Sequence, residues 1–291
     1  MRGDPGGAGV SIDRGQFLDA YDLAMARWPR GTEISDLTSD FGTTRVYSCG
    51  PAEGPPVILL AAYQATSAEW NPLAHDLMPT HRLHAVDVPG DPGRSVADGA
   101  AMTTPADLER WLTSVLDGLG LASAHFVGHS YGAWMSLNQA LNHPDRVSRL
   151  TLLDPTMCFT PMLKGYIMRA MPVMMRPTGE RRTGLIRWET RGQPLDEKWM
   201  ALTALGCDAF GMTSTVPTKI PGAGAMRALK SPTTVVVAGG GRVNHARSLA
   251  RRAEHRSPAI TAHTLPAASH YGLPMTHASD IADLIRSAGG S

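Results

Sequence analysis

One serine of this chain lies in a pattern that can make its hydroxyl a nucleophile. It is Ser130, in the run Gly128-His129-Ser130-Tyr131-Gly132. A Gly-x-Ser-x-Gly run between a strand and a helix predicts a turn so tight that its central residue has a strained backbone, and this turn raises the serine hydroxyl clear of the sheet. An ordinary strand-to-helix loop is the alternative interpretation of the same five residues.

The residues on both sides of this run favour the tight turn. The preceding residues 124–127 form a short, mostly apolar run that is typical of a buried strand. After the turn, apolar residues recur at helical spacing: Ala133, Trp134, Leu137, Ala140 and Leu141. The sequence therefore predicts a strand, a turn that carries Ser130, and a helix.

Most of the chain alternates between predicted strands and predicted helices. Two antiparallel strands are expected near 33–39 and 44–48, and further strands are expected at 56–60, up to 87, at 124–127, 147–153, 233–238 and 260–265. This alternation predicts an α/β fold with a mostly parallel central sheet and helices on both faces. Residues 1 to about 14 are rich in glycine, and we expect them to be disordered.

The alternation stops at Asp154-Pro155, and a methionine-rich, predominantly helical stretch follows. We interpret residues 156–220 as a helical cap inserted between two parts of one core, residues 1–155 and residues 221–291. A cap above a catalytic site offers thioether side chains to an apolar ligand, although methionine more often fills a core. The expected substrate-binding residues are Ala62, Met157, Met162 and Trp188.

The charged residues of this stretch are expected mostly to face solvent, because an unpaired charge in a dry pocket is unfavourable. They are Arg181, Arg182, Arg187, Glu189, Glu197 and Lys198.

A serine nucleophile needs a base within hydrogen-bond reach. In this order of elements the base belongs in the loop after the last strand, where the sequence Leu265-Pro266-Ala267-Ala268-Ser269-His270 supplies His270. His81, His84 and His263 lie elsewhere and are interpreted as structural.

The chain resembles the α/β-hydrolase superfamily, and most closely its bacterial esterase-like members. The segments that carry the resemblance are residues 41–44, 54–56, 67–70, 87–95 and 128–132. The resemblance implies that Ser130 is the nucleophile and His270 the base. It also implies an oxyanion hole made by the backbone N–H groups of Tyr131 and Tyr63.

Two departures from the family pattern stand out. The family usually has His-Gly where this chain has Ala61-Ala62, which puts the position of the Tyr63 amide in question. The family's usual acid after the strand that follows the cap is absent from residues 239–244. Some branches of the superfamily keep the acid at the end of the strand after the nucleophile helix, and Asp154 is at that place. The alternative is that Asp154 only ends a strand, as Asp-Pro pairs often do.

Composition excludes several classes of function. The 291 residues carry a net charge of +1 with no basic block, so neither nucleic acid nor an anionic membrane surface is expected as a partner. Three scattered cysteines lack metal-ligand spacing, and we predict a reduced cytoplasmic protein with no metal and no cofactor. The sequence leaves the oligomeric state open.

Three functions remain in competition. The first is a serine hydrolase or acyltransferase for an ester, thioester or lactone of a small apolar substrate. The second is a non-hydrolytic enzyme of the same fold, such as an epimerase, cyclase, lyase or cofactor-free oxygenase, which the altered Ala61-Ala62 and the missing late acid favour. The third is a non-catalytic ligand-binding protein, which an intact serine turn disfavours.

Overall fold

The computed structural model describes residues 14–213 and 216–288. Its strands are β1 (Glu33–Ser39), β2 (Gly42–Cys49), β3 (Pro56–Leu60), β4 (Arg82–Val86), β5 (Ala124–His129), β6 (Val147–Leu153), β7 (Thr233–Ala238) and β8 (Ile260–Leu265). Its α-helices are α1 (Arg14–Met25), α2 (Asn71–Leu77), α3 (Pro105–Gly118), α4 (Tyr131–Asn142), α5 (Lys164–Met175), α6 (Gly179–Glu189), α7 (Glu197–Phe210), α8 (Ala223–Arg227), α9 (Ala246–Arg256), α10 (Leu273–Thr276) and α11 (Ala278–Ala288). The expectation for residues 1 to about 14 falls almost wholly outside the described residues.

The eight strands form one sheet in the order β1-β2-β4-β3-β5-β6-β7-β8. The pairs β1–β2 and β2–β4 are antiparallel, and every other neighbouring pair is parallel. The predicted mostly parallel sheet is confirmed. All strands from β3 onward therefore end at the same edge of the sheet, where the loops that follow them meet.

The central strands are apolar throughout because both faces of the sheet are covered. Side chains of a strand alternate between faces, so in β3 Ile58 and Leu60 join one apolar layer while Val57 and Leu59 join the other. The first layer includes buried residues of α3, α4 and α9, and the second includes those of α1, α2 and α11. This two-sided burial holds the sheet edge in place.

In the described part of the stretch between β6 and β7 the chain forms four α-helices, α5 to α8. Arg181, Arg187, Glu197 and Lys198 in this stretch are exposed, as expected. The expectation is wrong for Arg182 and Glu189, which are buried. Arg182 contacts a backbone carbonyl and an aromatic ring, Glu189 accepts backbone N–H groups, and these contacts replace water.

No helix of the described residues combines the length and the apolar character that a membrane crossing requires. Cys49, Cys158 and Cys207 are buried and free. The cytoplasmic location stays a prediction.

Candidate active site

Ser130 occupies the turn between β5 and α4. Its backbone has φ 54° and ψ −107°, a conformation that residues other than glycine rarely adopt. A Cβ at Gly128 would lie 2.4 Å from the carbonyl oxygen of Gly132, and a Cβ at Gly132 would lie 2.1 Å from the carbonyl oxygen of Leu60. Both glycines are therefore required for the chain to turn this sharply beside β3.

His270 and Asp154 extend a hydrogen-bond chain from Ser130. The Nε2 atom of His270 is 3.1 Å from the Ser130 Oγ, and its Nδ1 atom is 2.6 Å from Oδ2 of Asp154. All three side chains are buried. Asp154 follows β6 with a positive φ of 36°, and His270 lies in the loop after β8. The structure thus brings together the three residues that the sequence selected.

The chemistry of this chain follows from which atoms can donate. A carboxylate only accepts, so His270 donates Nδ1–H to Asp154. In the neutral imidazole Nε2 then carries a lone pair that faces the serine hydroxyl. This arrangement can remove the Ser130 proton as the oxygen attacks, and it can stabilise the imidazolium that forms.

The loop after β7 has no carboxylate, and Glu189 reaches it from α6. Its Oε1 accepts the backbone N–H groups of Arg242 at 2.9 Å and His270 at 3.0 Å, and its Oε2 accepts that of Tyr271 at 3.3 Å. Glu189 thereby ties two loops of the sheet edge to α6. Sequence reasoning missed it, since a glutamate in a helix rich in arginine has the pattern of a solvated residue.

The loop after β3 is braced by a buried glutamate. Glu69, from the 3-10 turn Ser67–Trp70, accepts the N–H of Ala62 at 3.1 Å and faces Nδ1 of His129 at 3.5 Å. The Nε2 atom of His129 donates to the carbonyl oxygen of His270 at 3.0 Å. Glu69 belongs to a segment that carried the family resemblance. An acidic residue among apolar neighbours was the signal by which the sequence could have identified it.

The backbone of the loop that contains Ala61-Ala62 also shows why glycine is not needed there. The positive φ of this loop falls on Gln64, at 56°, so neither alanine adopts the conformation that glycine would ease. The N–H groups of Tyr63 and Tyr131 have no hydrogen-bond acceptor among the described residues. Both tyrosines line one cavity with Ser130.

A cavity of about 440 Å³ opens beside Ser130 and His270. Its remaining lining comes largely from apolar residues of the stretch after β6: Met157, Met162, Ile167, Ala170, Val173, Met174, Leu185, Met212, Val216 and Pro217. Of the residues expected to bind substrate, Ala62, Met157 and Met162 line this cavity. Burial raises the pKa of the Tyr131 and Tyr166 phenols, so both line it as neutral groups.

Trp188 was predicted to bind substrate, and it does not belong to the lining among the described residues. Its indole ring lies under the guanidinium of Arg242, 4.7 Å from the ring centre. Trp188 directly precedes Glu189, and the rotation of α6 that buries Glu189 turns its neighbour elsewhere. No group of three or more His, Cys, Asp or Glu residues in the described part could hold a metal ion.

This fold and this serine turn define the class of the protein. Residues 57–284 match the alpha/beta hydrolase family, and the chain belongs to that family. Its sheet and helices form the α/β-hydrolase fold.

Particular relatives can be named. The chain is 36% identical over 144 residues to the carboxylesterase YbfK of Bacillus subtilis, covering 50% of this chain and 48% of that protein. It is 31% identical over 146 residues to the uncharacterized carboxylesterase nap of the same organism, again covering 48% of it. The chain thus spans about half the length of these curated relatives.

Solved structures extend the likeness over almost the whole fold. The crystal structure of carboxylesterase CesB (YbfK) from Bacillus subtilis has a TM-score of 0.86 at 25% identity, covering 96% of this chain and 99% of that one. The structure of naproxen esterase from the same organism has a TM-score of 0.85 at 23% identity, covering 94% and 98%, and at this identity it shows the fold alone.

Proposed function

We propose that this protein is a carboxylic-ester hydrolase that works through an acyl-enzyme on Ser130. The observation that carries the proposal is the hydrogen-bond chain from the Ser130 hydroxyl through His270 to Asp154, with distances of 3.1 and 2.6 Å. The carboxylesterase names of relatives that share half of their length with the chain point to the same reaction.

In the proposed mechanism the Ser130 oxygen attacks the ester carbonyl while His270 Nε2 takes its proton. The C–O bond to the alcohol then breaks, and the imidazolium returns the proton to the departing oxygen. Water attacks the acyl-enzyme by the same route, or another alcohol does so in acyl transfer. Asp154 keeps His270 in the required tautomer and stabilises its positive charge in both steps.

The tetrahedral intermediate needs donors for its oxyanion, and we assign the N–H groups of Tyr63 and Tyr131. Tyr131 opens α4, where backbone N–H groups are free of helical partners. Glu69 supports the other donor indirectly, because its bond to the Ala62 N–H holds the loop that carries Tyr63.

We also propose that residues 156–220 act as the cap, with an inner surface that binds the apolar part of an ester, thioester or lactone. The two departures that favoured non-hydrolytic chemistry each have a counterpart in the site. Asp154 contacts His270 in place of a later acid, and Glu69 braces the loop that lacks His-Gly. No contact among the described residues favours the second class of function.

A fluorophosphonate probe tests the nucleophile. The wild-type protein is expected to be labelled at one serine, and Ser130→Ala is expected to abolish labelling because no other hydroxyl faces His270 Nε2 in the described residues. Ser287→Ala, an exposed serine of α11, serves as the control and should label like the wild type. Persistent labelling of Ser130→Ala, or an unlabelled wild type beside a reactive control esterase, would contradict the proposal.

A further inference from the structure

Arg182 of α6 places a permanent positive charge in the wall of the apolar cavity. The residue is 8% exposed. Among the described residues that line the cavity with Ser130, it is the one that is charged at every physiological pH. A guanidinium does not lose its proton in proteins, so this wall cannot become neutral.

The guanidinium has few partners in the protein. One Nη2–H donates to the carbonyl oxygen of Tyr63 at 3.3 Å, and the plane lies over the ring of Tyr271 at 5.3 Å from its centre. The buried Nε has no hydrogen-bond partner. No carboxylate of the described residues forms an ion pair with Arg182.

Glu189 and Asp91 each have other hydrogen-bond partners. Glu189, two helical turns further along α6, accepts three backbone N–H groups. Asp91 interacts with Arg182 only at longer range, and it accepts the hydroxyl of Thr213. A buried charge without a close counter-ion is unfavourable, and the deficit is removed when an anion enters the cavity.

We propose that the substrate of this enzyme carries a free carboxylate in addition to its ester, and that Arg182 binds this carboxylate. A guanidinium has the planar fork that takes two carboxylate oxygens at once, and the Arg182 side chain lines the cavity. The hydroxyls of Tyr166 and Tyr271, 2.6 Å apart, lie on the same wall and add a donor. The inference rests on the proposed function, since the ester must reach Ser130.

The carboxylate can belong to the acyl half or to the alcohol half of the ester, and two substrate pairs distinguish them. In the acyl pair, mono-p-nitrophenyl adipate is compared with the ester in which a carboxamide replaces its free carboxylate. In the alcohol pair, p-hexanoyloxybenzoate is compared with p-hexanoyloxybenzamide. For the productive half, the wild type is expected to prefer the carboxylate by roughly 10- to 100-fold in kcat/KM.

Variants of Arg182 connect this preference to the guanidinium. Arg182→Gln should bring the carboxylate-to-carboxamide ratio close to one, and Arg182→Lys should restore part of it because the charge returns without the fork. Arg187→Gln removes the same charge from an exposed position of α6 and should keep the wild-type ratio. Thermal unfolding of each variant shows whether it is folded.

A binding measurement separates this inference from the proposed function. In Ser130→Ala, calorimetry should detect hexanoate bound at least roughly tenfold more tightly than hexanamide, and adding Arg182→Gln should remove the difference. Efficient hydrolysis of neutral esters with carboxylate-to-carboxamide ratios near one in both pairs would overturn the carboxylate site and leave the esterase intact. Absence of all ester hydrolysis with hexanoate still bound through Arg182 would overturn the esterase. Equal binding of hexanoate and hexanamide would assign Arg182 to holding the Tyr63 loop alone.

Discussion

The cavity has two walls that are built in different ways. On the sheet side, Ser130, Asp154 and His270 each follow a parallel strand, and hydrogen bonds hold them 2.6 and 3.1 Å apart. On the cap side, helices α5 and α6 present mostly apolar side chains and the charge of Arg182. We expect the sheet side to perform the proposed reaction and the cap side to select the substrate.

The largest expected effect comes from the sheet side, at Asp154. In Asp154→Asn the amide can donate to His270 Nδ1, which favours the tautomer that cannot accept the serine proton. We expect kcat to fall by about 10⁴-fold while the protein stays folded. Steady-state kinetics on p-nitrophenyl hexanoate and a circular dichroism melt measure both.

Asp145→Asn is the matched control, because Asp145 is exposed at the other end of β6 and should leave kcat unchanged. A near wild-type kcat for Asp154→Asn would remove Asp154 from the mechanism and would erase the distinction between the two walls.

The difference between the walls also explains what the sequence could predict. A parallel sheet brings its strand ends to one edge, so a serine between β5 and α4, an acid after β6 and a histidine after β8 lie at the same edge. The alternation of strands and helices predicted this edge, whereas the roles of Ser130 and His270 came from the family resemblance, and Asp154 was one of two interpretations. The fold class and the three residues of the hydrogen-bond chain were therefore accessible without a structure.

The cap side was less accessible because it depends on how each helix is rotated. In α6 the residues Arg182, Leu185, Ile186 and Glu189 recur at helical spacing and are all buried. Two of these four positions are charged, so the stripe does not have the apolar pattern by which a buried face is recognised. The same rotation turns Trp188 away from the cavity. Glu69 was also missed. Its carboxylate accepts one backbone N–H group from another loop, and the sequence pattern does not show that contact.

The second largest effect is expected at Glu189, where the two walls are joined. Glu189→Gln replaces one carboxylate oxygen by an N–H₂ group that faces backbone donors, so the loop of His270 loses part of its support. Leaving one or two buried donors unpaired costs about 1 to 3 kcal/mol, and we expect kcat to fall roughly 10- to 100-fold.

Glu180→Gln changes an exposed acid in the first turn of the same helix and should alter kcat by less than about twofold. The rate of fluorophosphonate labelling, measured well below the melting temperature, reports the geometry at Ser130 separately from stability. Equal labelling rates for Glu189→Gln and Glu180→Gln would show that the cap side does not position His270.

A third expectation concerns stability against pH at Asp91, which follows β4 and accepts the hydroxyl of Thr213 beyond α7. Burial raises the pKa of this carboxyl from its ordinary 3.8 to about 6. Between about pH 4 and 6 the folded protein therefore holds a proton that the unfolded chain releases, so the Asp91 contribution makes stability fall as pH rises through this range. A shift of about 2 units corresponds to about 2 to 3 kcal/mol.

Urea unfolding at pH 4, 5, 6 and 7 gives the free energy of unfolding of the wild type and of Asp91→Asn. The Asp91 contribution is the change with pH in the difference between these two free energies. The variant should gain stability relative to the wild type up to pH 6 and then stay level. Asp98→Asn, an exposed acid nearby, should show no such trend. A difference that is constant with pH would mean that the pKa of Asp91 is not raised in the folded protein.

The smallest effect per change is expected from the acyl chain of the substrate, and it tests the cap side directly. The lining of the cavity is largely apolar, so each CH₂ group that leaves water adds about 0.8 kcal/mol, or roughly fourfold in kcat/KM, until the space is filled. Across p-nitrophenyl esters from acetyl to decanoyl, kcat/KM should therefore rise and then level.

Ala170 of α5 lines the cavity, and Ala170→Leu should move the plateau to shorter chains by filling part of the space. Ala201→Leu, an exposed position of α7, should leave the profile unchanged. A flat profile in the wild type would mean that the acyl chain does not enter this cavity. Selection by the cap would then rest on the charge of Arg182 rather than on apolar contact.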